Sequence, residues 1–167
     1  DYLFKLVTKV LLKLNLDKYE QYKACEELGV PYPKTLNIRN KNDLIKLNDF
    51  PIPILIKPTT REDQKIKVFR SLEINNKQDL EVQNKELTEF INKGVSFIAS
   101  EIIPGDGSNI YAYVGYRNSA GDILNEWTGK KLSQFPNDYG VFSSGSNEAP
   151  KQVLEQGRKL ISGMNLI

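Results

Sequence analysis

Six residues carry side chains that could act on a ligand: Lys18, Lys57, Lys67, Glu101, Asp106 and Lys131. The most informative stretch is Phe97 to Asp106, FIASEIIPGD, in which an apolar, partly β-branched run ends in Glu101, Ile102, Ile103, a Pro104-Gly105 turn and Asp106. The run is short, follows the break at Lys93-Gly94 and stops at Pro-Gly, so Ser96 to Ile103 predicts a buried strand. A carboxylate inside it needs a partner, because ionised oxygens taken out of water are costly unless paired or hydrogen-bonded. Pro104 removes a main-chain donor, which would free the N–H and C=O groups of Ile102 and Ile103 to face a flat heterocycle. Asp106, just past the turn, would then lie beside any sugar attached to that ring. The pattern is that of an adenine hinge with a ribose carboxylate; the alternative is a core strand whose Glu101 pairs with a lysine.

Lys57 closes the apolar run Ile52 to Ile56 and by strand alternation shares a face with Leu55, while Ile54 and Ile56 point the other way. Its ammonium either reaches out to solvent or meets a bound anion, and phosphate is the anion to expect if Glu101 to Asp106 holds a nucleoside. Lys18 occupies the first turn of a predicted helix, where a cation opposes the helix dipole at a cost of roughly a few tenths of a kcal/mol. It is either a solvated lysine or part of a phosphate site in which dipole and charge both attract the anion. Lys67 and Lys131 are further strand lysines, each by itself a surface residue.

Several chemistries are excluded. The chain has no histidine and one cysteine, Cys25, which rules out an internal disulfide, a Cys/His zinc site and any imidazole-based triad. Cys25 shares a helix face with Tyr22 and Leu28 and reads as packing; left unpaired, it fits a reducing, cytoplasmic compartment. Twenty-three basic against twenty-one acidic residues give a formal charge of +2, too balanced to imply nucleic acid, and no run approaches a membrane span. A Walker-type glycine loop is absent, as is Gly-x-Gly-x-x-Gly after a strand. What remains for a nucleotide is a lid of strands that closes against a second sheet, with lysines in place of a helix cradle.

The elements that must position these residues follow from periodicity and punctuation. Apolar residues at helical spacing predict a helix over 2–14, and Asp17 and Gly29 bracket a second over 18–28. Short strands are expected at 34–38, 51–58 and 67–74, a short helix at 42–47 and a longer one at 77–92. A polar loop fills 59–65, and prolines at the ends of 51–58 sit where a missing donor is tolerated. Past the hinge strand, 110–117 and 123–131 form a hairpin across Asn118 to Asp122. Residues 134–147 read as a long irregular loop, and 150–164 as a closing helix. With 167 residues the chain can build one core or two small lobes, and helices mixed with hairpin signals point to α+β.

The succession LDKYEQYKACEELGVPYPKT (16–35), PILIKP (53–58), KVFR (67–70), SEIIPGDGSNIYAYVGY (100–116) and GKKLSQFPNDYGV (129–141) resembles the ATP-grasp superfamily, in particular its carboxylate-amine ligase-like branch. Carbamoyl phosphate synthase large subunits and D-alanine–D-alanine ligase are more distant. The resemblance covers nearly the whole chain and implies a truncated ATP-grasp core: a helical lead-in at 1–33, a lid subdomain at 34–102 and part of the C-terminal lobe at 103–167. It implies that Lys18 and Lys57 contact phosphates and that Lys67 follows the lid loop. Glu101 would precede the adenine hinge, the backbone of Ile102 and Ile103 would meet N6 and N1, and Asp106 would bind the ribose. Lys131 would lie close to the transferring phosphate as the catalytic lysine.

The implied reaction is ATP- and Mg2+-dependent joining of a small-molecule carboxylate to an amine through an acyl phosphate, with positive charge stabilising the phosphoryl group in flight. The chain departs from the branch in two places: Ser133 replaces an arginine, and the loop after Lys57 holds no glycine. The magnesium ligands are expected downstream of Ile167, and the absence of an initiator methionine suggests a fragment. The alternative is a regulatory module that binds a nucleotide and has lost the chemistry.

Overall fold

The computed structural model describes residues 9–60, 67–135 and 141–165; the start of the expected first helix and most of the 59–65 loop lie outside them. The chain is α+β, with two antiparallel sheets. It divides into two compact units, Asp1–Lys23 with Tyr32–Ile103, and Ala24–Pro31 with Pro104–Ile167. The expected 1–33 lead-in is thus divided after Lys23.

In the first unit, α1 (Lys9–Leu16) is followed after Asp17 by the start of α2 (Lys18–Leu28), whose residues from Ala24 on belong to the second unit. The Asp17 carboxylate accepts the Tyr19 N–H at 2.9 Å and the Glu20 N–H at 3.4 Å, which satisfies donors that the first turn leaves unpaired. Gly29, at φ +60, ends α2 in the left-handed conformation that glycine adopts without strain.

The sheet of this unit has the order β1-β4-β2-β3, built from β1 (Thr35–Ile38), β2 (Ile54–Pro58), β3 (Leu72–Ile74) and β4 (Phe97–Glu101). Helices α3 (Lys41–Ile45) and α4 (Lys77–Asn92) each begin after an asparagine, Asn40 and Asn76, whose side chain accepts a third-residue N–H. Reciprocally, the carboxylates of Asp43 and Asp79 accept the N–H groups of Arg39 and Asn75, a variant of the capping box. One face of the sheet, with Ile38, Ile54, Ile56, Ile74, Phe97 and Ala99, forms a core with Leu44, Leu47, Leu80 and Leu87. Phe69 stacks on Phe97 at 5.4 Å between ring centres. Because β2 alternates, Leu55 and Lys57 lie on the opposite face.

The second unit holds a three-stranded sheet, β5 (Tyr111–Arg117), β6 (Ile123–Phe135) and β7 (Val141–Ser146), with α5 (Lys151–Gly163) against β5. Gly157 of α5 lies so close to Tyr113 that a Cβ there would stand 2.2 Å from the ring. Glu126 of β6 is ion-paired with Arg158 of α5 and accepts the Tyr113 hydroxyl at 3.3 Å.

Two expectations are corrected. The strand foreseen at 67–74 is confined to Leu72–Ile74; Val68 and Phe69 are apolar because they pack on the core, not because they pair in the sheet. Of the irregular loop foreseen at 134–147, residues 136–140 lie outside the described residues, and the described part is mostly strand: β6 runs to Phe135, and Val141–Ser146 pairs with it as β7. Its serines and glycine hid the pairing, since strand propensity reflects packing on a half-buried surface and not the backbone alone.

Candidate functional site

β4 is flanked by β1 and β2, and its main-chain groups alternate between them. The Glu101 N–H donates to the Lys34 carbonyl at 3.0 Å, towards β1, and the Ile102 N–H donates to the Pro53 carbonyl at 3.0 Å, towards β2. In a regular ladder the Lys34 N–H would return to the Glu101 carbonyl. Here it goes to the Glu101 carboxylate, Oε1, at 2.8 Å. The reciprocal partner of the Ile102 carbonyl would be the N–H of residue 53, which proline lacks.

The expected freedom at Ile102 and Ile103 is therefore corrected in part: the Ile102 N–H is taken. Among the described residues the Ile102 carbonyl and both main-chain groups of Ile103 carry no hydrogen bond. Pro53, opposite the strand, accounts for the open Ile102 carbonyl, not Pro104 beyond it. Glu101 finds its partner in a main-chain N–H, and among the described residues it forms no ion pair with a lysine, which corrects the paired-lysine alternative there. Ile103 is 61% exposed.

Lys18 reaches the far end of β2, at the residue next in the chain to Lys57. The Lys18 ammonium donates to the carbonyls of Pro58 at 3.2 Å and Thr59 at 3.4 Å, and its main-chain N–H to Thr59 at 3.5 Å. The start of α2 is thus fastened one residue beyond Lys57. Thr59 is buried, and among the described residues its hydroxyl oxygen has no hydrogen-bond partner, a group that a buried site ordinarily satisfies. Lys67 is exposed and in no strand.

In the second unit, Asp106 accepts the Ser108 N–H at 2.8 Å and opens the short 3₁₀ turn Gly107–Asn109. Hydrogen bonds from the Ser108 hydroxyl and N–H, with the Lys130 charge, hold its carboxyl below the usual carboxylate range, so it is an anion over a wide pH span. Lys131 is buried, at 8% exposure, with its N–H on the Ile110 carbonyl at 2.8 Å. Its ammonium donates to the Gln134 side-chain oxygen and, among the described residues, forms no ion pair. The Ser133 hydroxyl lies 2.7 Å from that of Ser143 and 2.6 Å from that of Ser144.

Lysines and open main-chain groups suit a nucleotide. Among the described residues no group of three or more His, Cys, Asp or Glu could hold a metal ion, so magnesium has no donor set there. Sequence reasoning missed Lys34, Pro53 and Gln134. The signal for Pro53 was present, since a proline whose nitrogen faces a neighbouring strand leaves the opposed carbonyl without its donor.

No protein-family model and no curated protein matches the sequence. Solved structures do match. N5-carboxyaminoimidazole ribonucleotide synthetase, solved as its ADP complex, is 12% identical with a TM-score of 0.68 over 91% of this chain and 38% of its own. A RimK domain ATP-grasp protein from Sphaerobacter thermophilus is 11% identical, with a TM-score of 0.63 over 93% and 52%. The VanG D-Ala:D-Ser ligase from Enterococcus faecalis is 16% identical, with a TM-score of 0.63 over 92% and 46%. The chain spans about two fifths to one half of the length of these structures. At such identities the likeness is one of fold, and the fold is that of the ATP-grasp, carboxylate-amine ligase-like proteins.

Proposed function

We propose that this chain is the nucleotide-binding core of an ATP-dependent carboxylate-amine ligase that works through an acyl phosphate. The observation that carries the reading is the main-chain edge at the end of β4. There the Glu101 carboxylate occupies the Lys34 N–H, which leaves the Glu101 carbonyl for a ligand. The C=O of Glu101 and the N–H of Ile103 are two residues apart, so in extended chain they point the same way. They offer an acceptor to the adenine amino group and a donor to the ring nitrogen beside it. Ile102 contributes its side chain to this hinge, its own N–H being held by Pro53.

Lys18 and Lys57 contact the phosphates from the β2 corner, and Thr59, with its unpartnered hydroxyl, is placed to join them. Asp106, kept ionised by Ser108, accepts from the ribose hydroxyls, and Lys67 borders the loop that precedes it. Lys131 is the catalytic lysine: a buried ammonium without a carboxylate stabilises negative charge that develops on a transferring phosphoryl group. ATP supplies that group to a small-molecule carboxylate, and an amine then displaces it. The ADP complex of a protein with the same fold supports the choice of nucleotide.

The test is a calorimetric titration with ADP, paired with a melting curve. Binding, with a melting temperature that rises with ADP concentration, is the expected result; no heat and no shift at millimolar ADP overturns the proposal.

A further inference from the structure

Lys131 and Gln134 are three residues apart, and in a regular strand that spacing sends side chains to opposite faces. Between β6 and β7 the register shifts twice at this point, between Lys131 and Ser133 and again between Ser133 and Gln134. Leu132 is the extra residue on β6, since Lys131 opposes Gly145 and Ser133 opposes the adjacent Ser144. A bulge of this kind reverses the alternation and re-aims a side chain. Its result here is that the Gln134 amide oxygen meets the Lys131 ammonium.

Regular alternation would have left this buried ammonium with no acceptor from Gln134, and a carboxylate at 134 would have cancelled its charge. A neutral amide oxygen does neither. It accepts one of the three ammonium protons, fixes the direction of the side chain, and leaves the positive charge and the remaining donors for an anion.

We propose that Gln134 is a positioning residue, which aims the Lys131 ammonium at the terminal phosphate of a bound nucleotide without neutralising it. The proposal rests on the nucleotide reading above and adds to it a residue that acts only through Lys131.

The test uses the whole chain and its variants Gln134→Glu, Gln134→Leu and Lys131→Met, with ATP and ADP titrated separately. Gln134→Glu should weaken ATP by roughly tenfold or more through loss of a usable charge, with ADP little changed; Gln134→Leu should weaken ATP less. In the Lys131→Met background, Gln134→Glu should cost nothing further, because its target is gone. A readout without nucleotide is the Nζ resonance of Lys131 by 15N NMR: visible in the unmodified chain, where a hydrogen bond slows proton exchange with water, and broadened in Gln134→Leu.

If the unmodified chain binds neither nucleotide, the nucleotide reading falls, and this proposal with it. If it binds both while the two Gln134 variants match it and the Nζ signal is unaltered, the role of Gln134 alone is overturned. Gln134→Leu, which adds no charge, covers the case in which Gln134→Glu does not fold.

Discussion

The Lys18 ammonium stands 3.2 Å from the carbonyl of Pro58, the residue that follows Lys57 in β2. Two lysines thirty-nine residues apart in sequence are thereby brought to one end of β2, and the tie is made by one of the pair. Lys18→Met removes the two carbonyl contacts of the ammonium. The expected loss is about 1–2 kcal/mol of stability, together with a fall in ADP affinity of roughly tenfold or more. A lowered melting temperature with unchanged ADP affinity would reduce Lys18 to a fastening of α2 and remove it from the phosphate site.

Glu101 offers a sharper separation of structure from binding. Its carboxylate takes the Lys34 N–H that the ladder would otherwise give to its carbonyl. In Glu101→Ala that N–H is released to make the ordinary ladder bond, so stability should change by less than about 1 kcal/mol. The hinge, however, loses its open acceptor, and nucleotide affinity should fall by roughly tenfold. Glu101→Gln keeps an oxygen for Lys34 and should bind ADP nearly as the unmodified chain does. Equal affinity in all three proteins would show that the Glu101 carbonyl is no part of the site.

Much of this fold was legible because local signals agreed with one another. The helix at 77–92 was bounded by its apolar spacing and by the break at Lys93-Gly94, to which the structure adds Asn76 as the cap, and 18–28 was bounded by Asp17 and Gly29. The hairpin of β5 and β6 announced itself through Asn118 to Asp122, whose turn closes on the Asn118 N–H to Asp122 carbonyl bond at 2.9 Å. What escaped were relations between strands. The partner of Glu101 depends on where β1 ends against β4, and the meeting of Lys131 with Gln134 depends on an extra residue in a ladder. Neither register nor bulge leaves a mark in the periodicity of a single segment.

The Glu126–Arg158 pair ties β6 to α5 and gives a pH signature. Hydrogen bonding to Arg158, with its charge and a bond from Tyr113, holds the Glu126 carboxyl below its ordinary value, and Glu126 raises Arg158 in turn. A carboxyl depressed in the folded state contributes stability that is fully present above its unfolded pKa and is lost as pH falls through the folded one. Arg158→Met should therefore lower the melting temperature at pH 7 by a small amount, as expected of an accessible pair. The difference from the unmodified chain should shrink steadily as pH falls below the ordinary carboxylate range, and high salt should shrink it at pH 7. A difference independent of both pH and salt would assign the effect to packing of the Arg158 stem and not to the pair.

Gly157 tests whether α5 is docked on β5 as closely as the Tyr113 contact requires. In an exposed helix, glycine to alanine stabilises by up to about 1 kcal/mol, because it removes backbone freedom from the unfolded chain. At Gly157 a methyl group would stand 2.2 Å from Tyr113 Cγ, so the helix must lift or the ring must leave its place, at a cost of about 1–3 kcal/mol for an overpacked contact. The sign of the effect is thus the measurement. Gly157→Ala should lower stability in denaturant titration, and in a Tyr113→Ala background, where the ring is gone, the same change should become neutral or favourable. The interaction term of that double-mutant cycle should exceed about 1 kcal/mol, as for residues in direct contact. Additive effects would mean that α5 rides further from the sheet, and the Arg158 to Glu126 bridge, which spans the same interface one residue along the helix, would then have to form over a wider gap.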